Sequence, residues 1–199
     1  MREVTLEDKL YSIEELTVPR IWAVHKMYDR LSTESKFLFL PGFLGSEGIG
    51  IRWFLLQICL LLCSIKSVRR LLLLVVPQFV ILPLVAMKER KEIAGFTYLR
   101  VYPHKLSNER RLTADLGIAI ADSHQGKGLG FELTRAVIDW AKEQSLSEIT
   151  AYCLVDNTRA IQLFRKSGFS ETRIIRGRAT RGMTKHDVQE MKLAVNNDV

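Results

Sequence analysis

Apolar and polar positions along the chain alternate between two periods, and these predict strands interleaved with helices. The run 116–121 is continuously apolar between Asp115 and Asp122, the pattern of a buried strand. Beyond it Leu129, Leu133, Ala136, Val137, Trp140 and Ala141 recur at helical spacing and predict an amphipathic helix. A second apolar strand is expected at 149–155. A short helix follows, capped by Asn157, with Ala160, Ile161 and Phe164 on its buried face and Gly168 as its stop. Towards the N-terminus, 3–6 reads as a short strand. Residues 18–31 read as a helix with Pro19 in its first turn and Ile21, Trp22, Val24, Met27, Tyr28 and Leu31 as its apolar stripe. Ser32 and Ser35 around Glu34 mark another helix start. Two strands at 79–87 and 93–102, joined by the polar turn 88–92, predict an antiparallel hairpin, with Pro83 implying an edge position or a bulge. Closing strands are expected at 172–175 and 188–195, with the basic run 176–182 between them as a solvated loop.

One segment breaks this rhythm. Residues 42–50 form a glycine-rich loop, 53–63 is almost wholly apolar, 64–70 carries Lys66, Arg69 and Arg70, and 71–76 is apolar again before Pro77. A membrane span needs about 20 apolar residues without charges, and the cations divide this run in the middle. Three readings stay open. The first is an extra helix or helix pair on the core or at a homodimer interface. The second is an interfacial membrane helix with Gln57, Ser64, Ser67 and Arg70 on one stripe, and the third a re-entrant or spanning hairpin.

The stretch with most chemistry follows the strand at 116–121. Gly126, Gly128 and Gly130 alternate with Lys127 and Leu129 immediately before a helix. Strand, glycine turn and helix together place free backbone N–H groups where an anion can approach, so a phosphate or pyrophosphate is the expected ligand. Lys127 is followed by Gly128 rather than Ser or Thr, which excludes a P-loop. The glycines are one residue short of a dinucleotide fingerprint, and no acidic residue ends a second strand about 20 residues on.

Gln125-x-x-Gly128-x-Gly130 resembles the pyrophosphate-binding signature of the GNAT superfamily of acyl-CoA-dependent N-acetyltransferases. A second segment, Asn157-x-x-Ala160-x-x-Leu163-Phe164-x-Lys166-x-Gly168-Phe169, resembles that family's next motif, in the same order and at the same distance. The phrase Leu31-Ser32-x-Glu34-Ser35 is similar to a segment of the branch that includes protein lysine acetyltransferases. The resemblance covers 79–193 well and the first forty residues loosely. It leaves 42–77 unexplained, so the chain reads as one domain over 1–199 with an apolar insertion at about 51–77.

The resemblance implies an α/β fold, a mixed and mostly antiparallel splayed sheet flanked by helices, with coenzyme A lying in the splay. It implies direct acetyl transfer from acetyl-CoA, as co-substrate, to a primary amine on a protein lysine, a peptide or a small molecule. In that reading the backbone of Ile118, Ala119 and Ile120 holds the pantetheine arm and polarises the thioester. Gln125, Gly126, Lys127, Gly128, Leu129, Gly130 and Phe131 cradle the pyrophosphate, Asn157 touches the arm, and the first two helices wall the acceptor site. The amine has an ordinary pKa of about 10.4, so it must lose a proton before attack. Asp115 stands where many family members carry a glutamate base, although a carboxylate capping the strand is the alternative. The tyrosine that serves as general acid in the N-terminal-amine branch is here Phe164, and Tyr152 replaces that branch's glutamate. This argues against that subtype and makes Tyr152 a candidate substitute acid, the alternatives being a packing role for a strand tyrosine and departure of the CoA thiolate without an acid. An alternative of another class is a non-catalytic acyl-CoA-binding regulatory or membrane-associated module.

Charge and cysteine content narrow the setting. A net charge of +7 over 199 residues favours acidic ligands. The basic run 176–182 lacks interleaved aromatics, which weighs against nucleic acid and leaves a CoA phosphate or an acidic substrate as partners. Cys59, Cys63 and Cys153 are odd in number and lie in apolar runs, as buried free thiols of a reducing compartment do. The first nine residues are charged and lack a signal-peptide core. The expectation is therefore a cytoplasmic, metal-free enzyme, with peripheral membrane contact through 53–76 under the interfacial reading and the identity of the acceptor open.

Overall fold

The computed structural model describes residues 2–38, 79–81, 84–103 and 112–195. The readings of 42–78, including the apolar insertion with Cys59 and Cys63, lie outside the described residues, as does Pro83.

Strand β1 (Arg2–Leu6) turns directly into β2 (Lys9–Glu15). Leu6 pairs with Lys9, and Glu7 and Asp8 between them both take positive φ, 46° and 59°, as a two-residue hairpin turn requires. Tyr11, Ser12 and Ile13 are all buried in β2, yet sequence reading does not predict this strand. Its turn carries Glu-Asp rather than the usual Asn-Gly signal.

A single 3-10 turn (Val18–Arg20) leads into α1 (Ile21–Asp29), and α2 (Thr33–Leu38) begins where the serines predict, with the Ser32 hydroxyl accepting the Ser35 N–H at 3.1 Å. Nine residues make a helix that is marginal alone. Burial of Val24 and Met27, at roughly 1.5–3 kcal/mol each, holds α1 on the sheet.

The run expected as one strand at 79–87 is two, β3 (Phe79–Ile81) and β4 (Leu84–Lys88), both paired antiparallel to β5 (Glu92–Pro103). The hairpin is as expected and a register shift falls at Ala86/Met87, but β4 is no edge strand, because β2 pairs along its other side. Next come β6 (Leu112–Ile120), α3 (Leu129–Glu143), β7 (Leu146–Leu154) and α4 (Thr158–Lys166). The chain ends in β8 (Ser170–Arg181) and β9 (Thr184–Ala194). The basic run 176–182 is therefore not a loop: β8 runs through Arg181, and the hairpin turn begins only at Gly182. The backbone pairing of Ala179, Thr180 and Arg181 with β9 overrides what the glycines suggested.

The sheet runs in the order β1-β2-β4-β5-β6-β7-β9-β8, with β3 beside β5 off this path, and is antiparallel except for the pair β6–β7. Helices α3 and α4 pack on one face, where Leu133, Val137, Trp140 and Phe164 meet Leu116, Ile149 and Ala151. On the opposite face α1 meets Val85, Phe96, Tyr98 and Ala119. The fold is the expected α/β one, a mixed sheet flanked by helices.

Candidate active site

The site begins where two parallel strands part. Pairing of β6 with β7 ends at Leu116↔Ala151, yet β6 continues to Ile120 and β7 to Leu154. On its other side β6 stays paired to β5 along its whole length. Gly117, Ile118, Ala119 and Ile120 therefore present one backbone edge to a gap rather than to a strand. Buried N–H and C=O groups require partners, so such a gap suits an extended ligand with amide groups of its own. Gly117 also lets the buried Tyr98 ring lie flat against β6: a Cβ there would stand 1.8 Å from Tyr98 Cε1.

The glycine turn lies at the end of β6. After a 3-10 turn (Asp122–His124), Gly126 and Gly128 adopt φ of 75° and 85°, a region closed to most side chains, and Gly128 opens α3. The Phe131 and Glu132 N–H groups both return to the Gly128 carbonyl, at 3.0 and 3.2 Å. The N–H groups before them have no intrahelical acceptor and face outward with the positive end of the helix dipole. Leu129 is 1 % exposed and belongs to the core, so only its backbone is open to a ligand. Phe131 carries the Arg135 guanidinium 5.8 Å from its ring centre. The β1–β2 hairpin braces this region: Lys127 Nζ lies 3.6 Å from Glu7 and Arg2 pairs with Glu132 at 2.8 Å.

Gln125 turns inward. Its amide nitrogen lies 3.0 Å from each of the Ile120 carbonyl, Asp122 Oδ1 and Ser35 Oγ. Asp122 in turn accepts the Ser32 N–H at 2.7 Å and the Ser35 hydroxyl. The Ser35 bond first, then the Ser32 backbone bond, outweigh burial and hold the Asp122 carboxyl below its ordinary pKa. The start of α2 is thus fastened to the glycine turn. His124 is a buried packing residue, with Tyr11 Oη 2.9 Å from its Nδ1. Burial, the largest influence, pushes its pKa down.

A polar cluster lies across β5, β6, β7 and β9. Asp115, 6 % exposed, is held by Arg100 opposite it on β5, with Nε 3.1 Å from Oδ2, and by the Tyr102 hydroxyl, which donates to Oδ1 at 2.7 Å. Burial and the Asp115 hydrogen bond drive the Tyr102 phenol far up. Tyr152, the first residue of β7 beyond the parting of the strands, donates to Glu190 at 3.3 Å. Burial first, then the Asp115 and Glu190 charges, push the Tyr152 phenol up to about 12. Glu190 is 4 % exposed. Burial would raise its pKa, but bonds from Thr172 at 2.8 Å and Arg173 at 3.1 Å win and lower it. Sequence reading misses Arg100, Tyr102 and Glu190. The available signal is strand register, which sets Arg100 against Asp115 and Tyr152 against Glu190.

Asn157 caps α4, its Oδ1 accepting the Ala160 N–H at 3.1 Å. Phe164 is core, its ring 5.1 Å from that of Phe169. Cys153 is buried, which pushes its thiol up to about 12. Among the described residues no group of three or more His, Cys, Asp or Glu could hold a metal ion, and no helix is long and apolar enough to cross a membrane.

The pattern of the acetyltransferase (GNAT) family matches residues 72–169. A mycothiol acetyltransferase of Renibacterium salmoninarum is 34% identical over 87 residues, which is 44% of this chain and 25% of that protein. Another from Jonesia denitrificans is 31% identical over 84 residues, 42% of this chain and 25% of the relative. The matched stretch thus spans only about a quarter of these relatives. Among solved structures, an acetyltransferase of the GNAT family from Streptococcus pneumoniae superposes with a TM-score of 0.71 at 21% identity, covering 94% of this chain and 99% of its own. The putative acetyltransferase yncA of Salmonella typhimurium, solved with its cofactor acetyl-CoA, gives 0.63 at 18% identity over 94% and 95%.

Proposed function

From the match of residues 72–169 to the acetyltransferase (GNAT) family, we propose that the chain transfers an acetyl group from acetyl-CoA to a primary amine on a small molecule. The observation that carries this reading is the parting of β6 from β7 beside the glycine turn. The pantetheine arm lies in the gap against Ile118, Ala119 and Ile120. The pyrophosphate meets the N–H groups of Gly126 to Gly130 with Lys127 beside them, and the Asn157 amide nitrogen, which the cap does not use, meets the arm. Relatives named mycothiol acetyltransferases support a small-molecule acceptor over a protein lysine.

The amine nitrogen, once deprotonated, attacks the thioester carbonyl carbon. A C–N bond forms, the C–S bond breaks, and the sulfur leaves with the electron pair. Both Asp115 oxygens already accept bonds, from Arg100 and Tyr102, so Asp115 takes the amine proton through an intervening water. Tyr152 stands at the mouth of the gap and gives its proton to the departing thiolate, and the nitrogen returns one to it by shedding its second proton as the amide forms; burial makes the phenol a weak acid for this step.

Calorimetric titration with acetyl-CoA, followed by CoA-release assays on small amines and lysine peptides, tests this. Binding with release on small amines is expected. Failure to bind acetyl-CoA would overturn the reading, and binding without release on any acceptor would favour a non-catalytic acyl-CoA-binding module.

A further inference from the structure

The β8 strand leaves its ladder twice, briefly at Thr172 and more widely between Ile175 and Ala179. Ile175 pairs with Val188 and Ala179 with His186, so Arg176, Gly177 and Arg178 all stand opposite Asp187 alone. This bulge is built rather than frayed. Gly177 takes φ of 60° and donates its N–H to Asp187 Oδ1 at 2.8 Å, and the Asp187 carbonyl receives the Val155 N–H at 3.2 Å, tying the bulge to the end of β7. On its far side Ala179 packs with Phe37 and Leu38 of α2, and Arg181 Nε donates to the Phe37 carbonyl at 3.2 Å. Bulges re-aim side chains beside functional sites. Here the result is that the Arg178 guanidinium lies 4.5 Å from the centre of the Tyr152 ring, where the gap, α2 and β8 meet.

Charge sets Arg178 apart from its neighbours. Asp115 is neutralised by Arg100, Glu190 by Arg173 and Glu171 by Arg165. Among the described residues no carboxylate forms an ion pair with Arg178, and the carboxylate opposite it in the ladder, Asp187, accepts the Gly177 N–H instead, which leaves the Arg178 guanidinium open to an anionic group of a ligand. A guanidinium stacked on an aromatic face keeps its edge N–H donors in a planar fork that matches a carboxylate.

We propose that Arg178 selects the acceptor: the amine substrate carries a carboxylate near its amino group, and the Arg178 guanidinium binds that carboxylate at the acceptor mouth of the gap. The proposal rests on the acetyl-transfer reading. It predicts discrimination against polycationic amines, which the arginine repels.

The test compares L-amino acids with amines that differ from them only in lacking the carboxylate, read as CoA release at saturating acetyl-CoA. Pairs with no measurable turnover are titrated calorimetrically into the CoA-saturated protein. The wild type is expected to favour the carboxylated member about ten- to a hundredfold, the span of a charge-assisted hydrogen bond. Arg178→Ala should collapse that ratio towards one while Arg178→Lys keeps part of it, with thermal melts reporting that both variants are folded. Equal use of both members by the wild type overturns the proposal, as does an Arg178→Ala variant that slows both members equally. In either case intact acetyl-CoA binding leaves the acetyl-transfer reading standing, whereas a wild type that binds no acetyl-CoA overturns both.

Discussion

Arg100 on β5 and Asp115 on β6 stand directly opposite each other in the strand register, and the guanidinium Nε lies 3.1 Å from the carboxylate Oδ2. The residue proposed as the catalytic base is thus also half of an ion pair. Its removal has two separable effects. Asp115→Ala leaves a half-buried arginine and the Tyr102 hydroxyl without their acceptor, which costs about 1–3 kcal/mol of stability. If Asp115 also takes the amine proton, kcat falls by roughly 10² to 10⁴ while acetyl-CoA affinity holds. Denaturant titration and steady-state kinetics measure the two. A variant that is destabilised but turns over at the wild-type rate would remove Asp115 from the chemistry.

The two tyrosines make alkaline stability a readout of the cluster. Tyr102 and Tyr152 both have folded-state pKa values above the ordinary 10, Tyr152 at about 12. Between pH 10 and 12 the unfolded chain holds fewer protons than the folded one, so the stability these groups contribute is present below pH 10 and is lost as pH rises. Melts between pH 9 and 11.5 should show a falling Tm whose slope is shallower in Tyr152→Phe and Tyr102→Phe. Tyr152→Phe should also lower kcat without changing acetyl-CoA binding; an unchanged kcat would exclude Tyr152 as the acid.

Gly117→Ala tests the close approach beneath the gap. The added methyl collides with a buried ring of β5 that has packed strands around it. The expected loss is about 3 kcal/mol, at the upper end for overpacking. Gly130→Ala serves as the control, since its Cβ would lie 3.4 Å from Leu163 Cδ2, the end of a flexible side chain.

Asp122 couples α2 to the glycine turn. Its pKa is depressed in the folded state, so its contribution is present above the ordinary carboxyl range, near pH 4, and is lost as pH falls below that. Asp122→Asn should flatten the acid limb of a Tm profile between pH 2 and 6. Ser35→Ala, which removes the strongest bond to that carboxylate, should move it the same way. Because Asp122 is exposed, the effect should shrink in high salt.

Much of this was legible in the chain. Periodicity placed α3 from its leucines and Trp140, the Asn157 cap and Gly168 fixed both ends of α4, and the glycines at 126 and 128 marked the left-handed turn. What was not legible depended on distant partners. No local signal says that Gln125 turns inward towards Ser35, because the serine arrives from 90 residues away. Nor does any pattern say that Arg100 neutralises Asp115, since that follows from strand register. The β8 error has the same origin: Gly177 and Gly182 read as loop, but one serves a bulge with paired strand on both sides of it and the other the hairpin turn into β9.

A cleft formed by two backbones diverging differs in kind from one hollowed out by small side chains. Gly117 beneath the Tyr98 ring aside, the separation of β6 from β7 is set by where their pairing ends rather than by small side chains lining it, so drift in the neighbouring core can proceed without closing it. Side chains around the rim are free to change with the compound being modified. Hydrogen exchange should make this visible: those amides at 117–120 that point away from β5, although central in the sheet, should exchange faster than the amides at 114–116 in the free protein and slow sharply when an amide-bearing ligand completes the interrupted ladder.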